Sequence, residues 1–136
     1  MYETFDHTAD VGLRIRADTL DRLFADAAKG LFSLLVANLD DVQPVEETTY
    51  ALGPDDYDLL LFDWLAELLY TFETRKLLLS QFDVHAGTDG LRATARGEPI
   101  DPTRHVMAHE IKAITYHELK VERTDDCWLA EVIVDI

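Results

Sequence analysis

Cysteine occurs once in the 136 residues, at Cys127, so an internal disulfide and a cysteine-built metal cage are both excluded. Its neighbour Trp128 makes a weakly polar packing role its natural reading. Long apolar runs are also missing. Stretches such as Leu77-Leu78-Leu79 fall far short of the roughly 18 to 20 residues a bilayer-spanning helix needs, so no membrane span is expected. The opening Met1-Tyr2-Glu3-Thr4-Phe5-Asp6 carries acids where a secretory signal carries bases, which points to the cytoplasm. Glycine-rich phosphate loops and dinucleotide fingerprints are absent, so a self-contained nucleotide-using enzyme has little support. Positive charge is scarce. Twelve Lys and Arg face 27 Asp and Glu, a formal net charge of −15. Nucleic acid is held by neutralising its phosphates with basic side chains, so tight direct binding of RNA or DNA is not expected. A surface of this sign favours cations and basic partners.

What is present suits one domain over residues 1–136, since 48% hydrophobic residues suffice for a core. Val11, Leu13, Ile15 and Ala17 alternate with polar positions and glycine, the period of a half-buried strand. After Asp18 and Thr19, either able to cap a helix, Leu20, Leu23, Phe24, Ala27, Leu31, Leu34 and Leu35 follow helical spacing. A weaker strand runs from Val45 to Leu52. A second helix spans Tyr57 to about Arg75, a rod of roughly 28 Å. Leu77 to Val84 and Leu91 to Ala95 flank the turn residues Thr88-Asp89-Gly90 and predict a hairpin. Prolines in Gly97-Glu98-Pro99 and Asp101-Pro102 predict a loop carrying Arg104 and His105. A strand-like run from Ile111 to Val121 then returns as Trp128, Ala130, Val132 and Val134. The expectation is an α+β two-layer sandwich: a mixed sheet of about six or seven strands with two main helices on one face.

Two elements could carry chemistry. Asp6-His7-Thr8-Ala9-Asp10 gathers two carboxylates, an imidazole and a hydroxyl before a strand, although Asp and Thr are also ordinary turn residues. Asp135 stands at the end of an apolar strand beside Ile136. If that last strand pairs beside the one starting at Val11, Asp10 and Asp135 share a site. Two carboxylates about 4 Å apart repel by roughly 4 kcal/mol at an effective dielectric near 20, which a cation or proton must offset. Oxygen-only donors suit Ca²⁺, Mg²⁺ or Mn²⁺ better than zinc, and His7 is the one group that could soften the set. His105 and His109 have helical zinc spacing but lack the glutamate of a His-Glu-x-x-His site, so a solvent-facing loop is the simpler reading. Lys112 reads either as a solvent-face or snorkelling side chain, or as a group holding nearby carboxylates or a partner's phosphate.

Taken together these segments resemble the archease family. The resemblance rests on Phe5-Asp6-His7-Thr8-Ala9-Asp10-Val11-Gly12, Thr19-Leu20 with Leu23-Phe24, Trp64-Leu65 with Leu68-Leu69-Tyr70, Gly97-Glu98, Arg104-His105, Glu110 through His117, and Asp135-Ile136. It spans the whole chain. The family often has glycine where Ala17 stands, and His109 does not map to its pattern. The resemblance implies a non-enzymatic activator of the RtcB-type RNA ligase of tRNA splicing, promoting GTP-dependent guanylylation of the ligase and multiple turnover. It further implies a divalent-cation site (calcium, magnesium or manganese) from Asp10, Asp135 and the Ile136 terminus. Lys112 would be needed for activation, with His7 and His105 in the same functional set. The rival readings are a metal-dependent phosphoester hydrolase using Asp10, His7 and Asp135, and an acidic chaperone-like binding module.

Overall fold

In the computed structural model the first two strands, β1 (Tyr2–His7) and β2 (Asp10–Ala17), form an antiparallel pair. Residues 1–7 and 10–136 are described, with the side chains of Asp6 and His7 outside that description. Helix α1 (Leu20–Leu35) follows, and the Thr19 hydroxyl caps it by accepting the Arg22 N–H at 3.1 Å. A short 3₁₀ turn (Leu39–Asp41) leads to β3 (Glu46–Leu52) and α2 (Tyr57–Arg75). Lys76 ends α2 in the left-handed conformation, its N–H reaching the Phe72 carbonyl at 2.9 Å. The hairpin β4 (Leu77–Gly87) and β5 (Gly90–Pro99) comes next, then β6 (Ala113–Ile114), β7 (Lys120–Arg123) and β8 (Trp128–Asp135).

The α+β class stands, and the strands divide between two sheets in place of one mixed sheet. One has the order β1-β2-β8, with β6 and β7 successively along the far edge of β8; the other is β3-β5-β4. Every pairing among the described strands is antiparallel. Leu13 and Ile15 of β2 face Val132 and Ala130 of β8 on the inner side, and all four are fully buried. These side chains, the hairpin's Leu91 and Ala95, and the apolar stripes of both helices form one continuous core. Trp64 lies at its centre, fully buried, with the indole N–H donating to the Phe24 carbonyl at 3.0 Å. This bond ties α2 to α1 and satisfies a donor that burial would otherwise strand.

One strand is new and two expectations change. Tyr2–His7 is a strand whose sequence carries no clear apolar alternation. Gly97-Glu98-Pro99 continues β5 instead of forming a loop; β3 pairs no further than Gly97, so the missing N–H of Pro99 leaves no ladder bond unmade on that side. The run from Ile111 to Val121 breaks into β6 and β7 around Glu118, whose φ of 55° turns the chain. Among the described residues no helix is long and apolar enough to cross a membrane.

Candidate functional site: a carboxylate pair on the five-stranded sheet

Antiparallel register places Asp10 of β2 directly opposite Asp135 of β8. The same row continues to His7 on one side and Ala113 on the other. Side chains directly opposite one another share a face, with Cβ atoms about 5 Å apart, so the two carboxylates are close neighbours. Both residues are partly exposed. The segment carrying Lys112 is locked to the same point, since the Lys112 N–H donates to the Asp135 carbonyl at 2.7 Å. Thr115 bonds the Ile133 carbonyl through both its N–H, at 3.1 Å, and its hydroxyl, at 2.8 Å. Lys112 itself is exposed. Sequence positions from both ends of the chain and from the last loop thus meet at one corner of the sheet.

The neighbouring rows explain how this corner is held. Two residues further in, on the same face, Phe5, Gly12 and Ile133 lie abreast, and a Cβ on Gly12 would fall 2.1 Å from Phe5 Cζ. Glycine lets the Phe5 ring lie flat over the strand, and Ile133, though on the outer face, is only 1% exposed. The next row is Glu3, Arg14, Glu131 and Lys120, four alternating charges across four strands. Arg14 Nε lies 2.9 Å from Glu131, its Nη1 3.4 Å from Glu3, and its guanidinium carbon 4.7 Å from the Phe5 ring centre. The hydrogen bond to Glu131 leads the effects that raise the Arg14 pKa, against the opposing pull of desolvation. Arg14 is four residues from Asp10, about 13 Å along a strand, and its charge is matched within its own row.

The other site residues expected from the sequence do not all gather here. The His7 side chain lies outside the described residues, though its backbone pairs with Asp10. His105 is not in a solvent-facing loop; it is 3% exposed. Its Nδ1 accepts the Asp101 N–H at 2.8 Å, which assigns the proton to Nε2, 3.3 Å from Glu98. Glu98 is 8% exposed and also receives the Gln43 N–H and the Arg104 guanidinium. Burial pushes the Glu98 carboxyl up, but Gln43, His105 and Arg104 together outweigh it and hold the carboxyl below its ordinary value. The loop that follows runs along the end of α1. There the N–H groups of Ala108 and His109 bond the Leu35 and Leu34 carbonyls, both at 2.9 Å, and so occupy helix-end acceptors. His105 therefore shapes the loop upstream of Lys112, and His109, exposed, is not its metal-binding partner. Glu98 is a site residue that sequence reasoning misses; its cue is a carboxylate between Gly97 and Pro99, close to Arg104 and His105.

Among the described residues no group of three or more His, Cys, Asp and Glu is arranged to hold a metal. The Asp10–Asp135 pair supplies two side-chain carboxylates, and further oxygen would have to come from the main chain at Ile136 or from solvent. The donor chemistry fits a hard divalent cation and not zinc.

The fold and this corner define a class: small α+β proteins of two antiparallel sheets whose strands from the two ends of the chain bring two aspartates together. The model of the Archease protein family (MTH1598/TM1083) matches residues 2–136, and the chain belongs to that family. It is 44% identical to the protein archease of Methanopyrus kandleri over 139 aligned residues, covering 99% of each chain. It is 38% identical to that of Pyrococcus furiosus, covering 99% of this chain and 98% of the relative. The solution structure of Methanobacterium thermoautotrophicum protein 1598 superposes with a TM-score of 0.86 at 34% identity, covering 99% of this chain and 98% of that one. A Thermotoga maritima crystal structure, described as an archease and possible chaperone, shares the fold with a TM-score of 0.68 at 21% identity.

Proposed function

We propose that this protein is a non-catalytic cytoplasmic activator of an RtcB-type RNA ligase, delivering a divalent cation and a lysine to the ligase during guanylylation. The observation that carries the reading is the register of β2 against β8, which sets Asp10 opposite Asp135 and hangs Lys112 from the same residue. Asp10, Asp135 and main-chain oxygen at Ile136 would hold the cation, which supplies positive charge to offset phosphate oxygens. Lys112 is exposed, and among the described residues its anchor is its backbone N–H, so its ammonium can extend toward a bound nucleotide's phosphates. The net charge of −15 supports a basic protein partner and speaks against the chain gripping RNA itself.

A multiple-turnover ligation assay with the ligase of the same organism tests this. Wild-type protein should raise both the guanylylated fraction and the number of turnovers, and Asp10→Ala and Lys112→Ala should each abolish most of that gain while remaining folded. Undiminished stimulation by both variants would remove the site from the mechanism. Phosphoester hydrolysis by the isolated protein, abolished by chelation, would favour the hydrolase reading instead.

A further inference from the structure

Helix α2 is apolar on two sides. Its inner side, with Leu61, Trp64, Leu65 and Leu68, fills the core. On its outer side, where a surface helix ordinarily carries charge, stand Leu59, Phe62, Ala66 and Tyr70, at spacings of three, four and four residues. Leu59 is 39% exposed and Tyr70 64%. The stripe extends sideways through Tyr116, 63% exposed, whose ring stacks on Phe62 with centroids 3.9 Å apart and planes 11° from parallel. Ala66, the smallest side chain of the stripe, stands between Phe62 and Tyr70. Exposed Asp63 and Glu67 border one edge of the stripe, and exposed Glu73 stands beyond its Tyr70 end.

We propose that this outer face of α2, with Tyr116, is a docking seam for a basic amphipathic helix of a partner protein. The spacing is that of a helix–helix seam, and the short side chain of Ala66 leaves room for one large apolar side chain from the opposing helix. Exposed tyrosines that keep a polar tip in water and bury their rings on contact are frequent anchors of such interfaces. The occupant's charge follows from the flanks: acids border the seam, so the opposing helix carries Lys or Arg beside its apolar stripe. A second copy of this chain would set acid against acid and is disfavoured for the same reason. The inference does not depend on the carboxylate site.

Fluorescence anisotropy with two synthetic 21-residue leucine/lysine peptides tests it, one with leucines in helical phase and one of identical composition scrambled. The in-phase peptide should bind at least about ten-fold tighter, roughly 1.4 kcal/mol. Leu59→Ser/Tyr70→Ser, which leaves every charge in place, should erase that preference, and Ala66→Arg, with both anchors intact, should weaken the in-phase peptide alone. Thermal unfolding checks that each variant is folded. Equal binding of the two peptides, or a preference that survives both variants, overturns the seam. So does a self-association seen by sedimentation and lost in the double variant, since the occupant is then a second copy.

Discussion

Gly97 offers the sharpest test of how the hairpin is built. It sits opposite Leu79 where β4 carries an irregularity, the register passing from Leu79–Gly97 to Gln81–Arg96 with Ser80 left over. A Cβ at this position would lie 1.7 Å from the Leu78 carbonyl oxygen, 2.7 Å from its carbon and 2.8 Å from Leu79 Cα. All three are backbone atoms, and separations below 3.0 Å are not tolerated, so β4 must withdraw by more than an ångström. Strands pair at about 4.8 Å, and a retreat of that size breaks nearby ladder bonds. Leu77, Leu78 and Leu79, all essentially buried, would move with it. Overpacking of a core costs about 1 to 3 kcal/mol, and the fixed backbone puts Gly97→Ala at about 3 kcal/mol or above. Melting should fall by about 10 °C, from a few degrees per kcal/mol for a domain of this size. Gly53→Ala is the control, because nothing lies within 4 Å of its added methyl; its effect should stay within about 0.5 kcal/mol. Urea and thermal unfolding of the two variants measure the difference. Gly97→Ala melting within about 2 °C of Gly53→Ala would refute the backbone clash as the reason for glycine here.

Glu98→Gln should lower stability at neutral pH by about 2 kcal/mol, since charged hydrogen bonds from Gln43, His105 and Arg104 are weakened together. Because the folded carboxyl is held below its ordinary value, its contribution is present above about pH 4.3 and is lost as pH falls through the lower folded value. The variant's melting temperature should therefore converge on wild type between pH 5 and pH 2 or so, read by circular dichroism. Trp64→Phe removes the indole donor to the Phe24 carbonyl and part of the ring volume, for a loss of about 2 to 3 kcal/mol in urea unfolding. Calcium at 100 times its dissociation constant should stabilise the wild type by about 2.7 kcal/mol, and Asp135→Asn should cancel the shift; an equal shift in both would detach the cation from Asp135.

The parts of this fold that sequence exposes are those with one apolar side. α1 announces itself through Leu23, Phe24, Ala27 and Leu31 after a Thr19 cap, β2 through alternation, and β8 through Trp128, Ala130, Val132 and Val134 at every second position. The meeting of Asp10 and Asp135 could be stated only as a condition, because pairing between distant strands leaves no local mark; register supplied it. The division into two sheets was illegible for the same reason. β6 and β7 read as one strand in the sequence because the residues around Glu118 keep strand-like apolar spacing, and a positive φ at a glutamate has no sequence signature. A loop position suggests exposure for His105; its burial follows from Glu98, a strand residue whose partners come from two separate segments, Gln43 and the adjacent Arg104 and His105.

The placement of β8 has a consequence for how the protein comes into being. The last strand occupies an interior position, with β2 on one edge and β6 and β7 on the other. Until it inserts, β1 and β2 present an open edge, Lys112 has no anchor and Asp10 has no counterpart. Completing the sheet and assembling the carboxylate corner thus share one step, the pairing of β8 with β2, which closes the longest loop of that sheet. A chain that has not finished folding cannot display the corner, so whatever reads that corner also reads completeness of the fold.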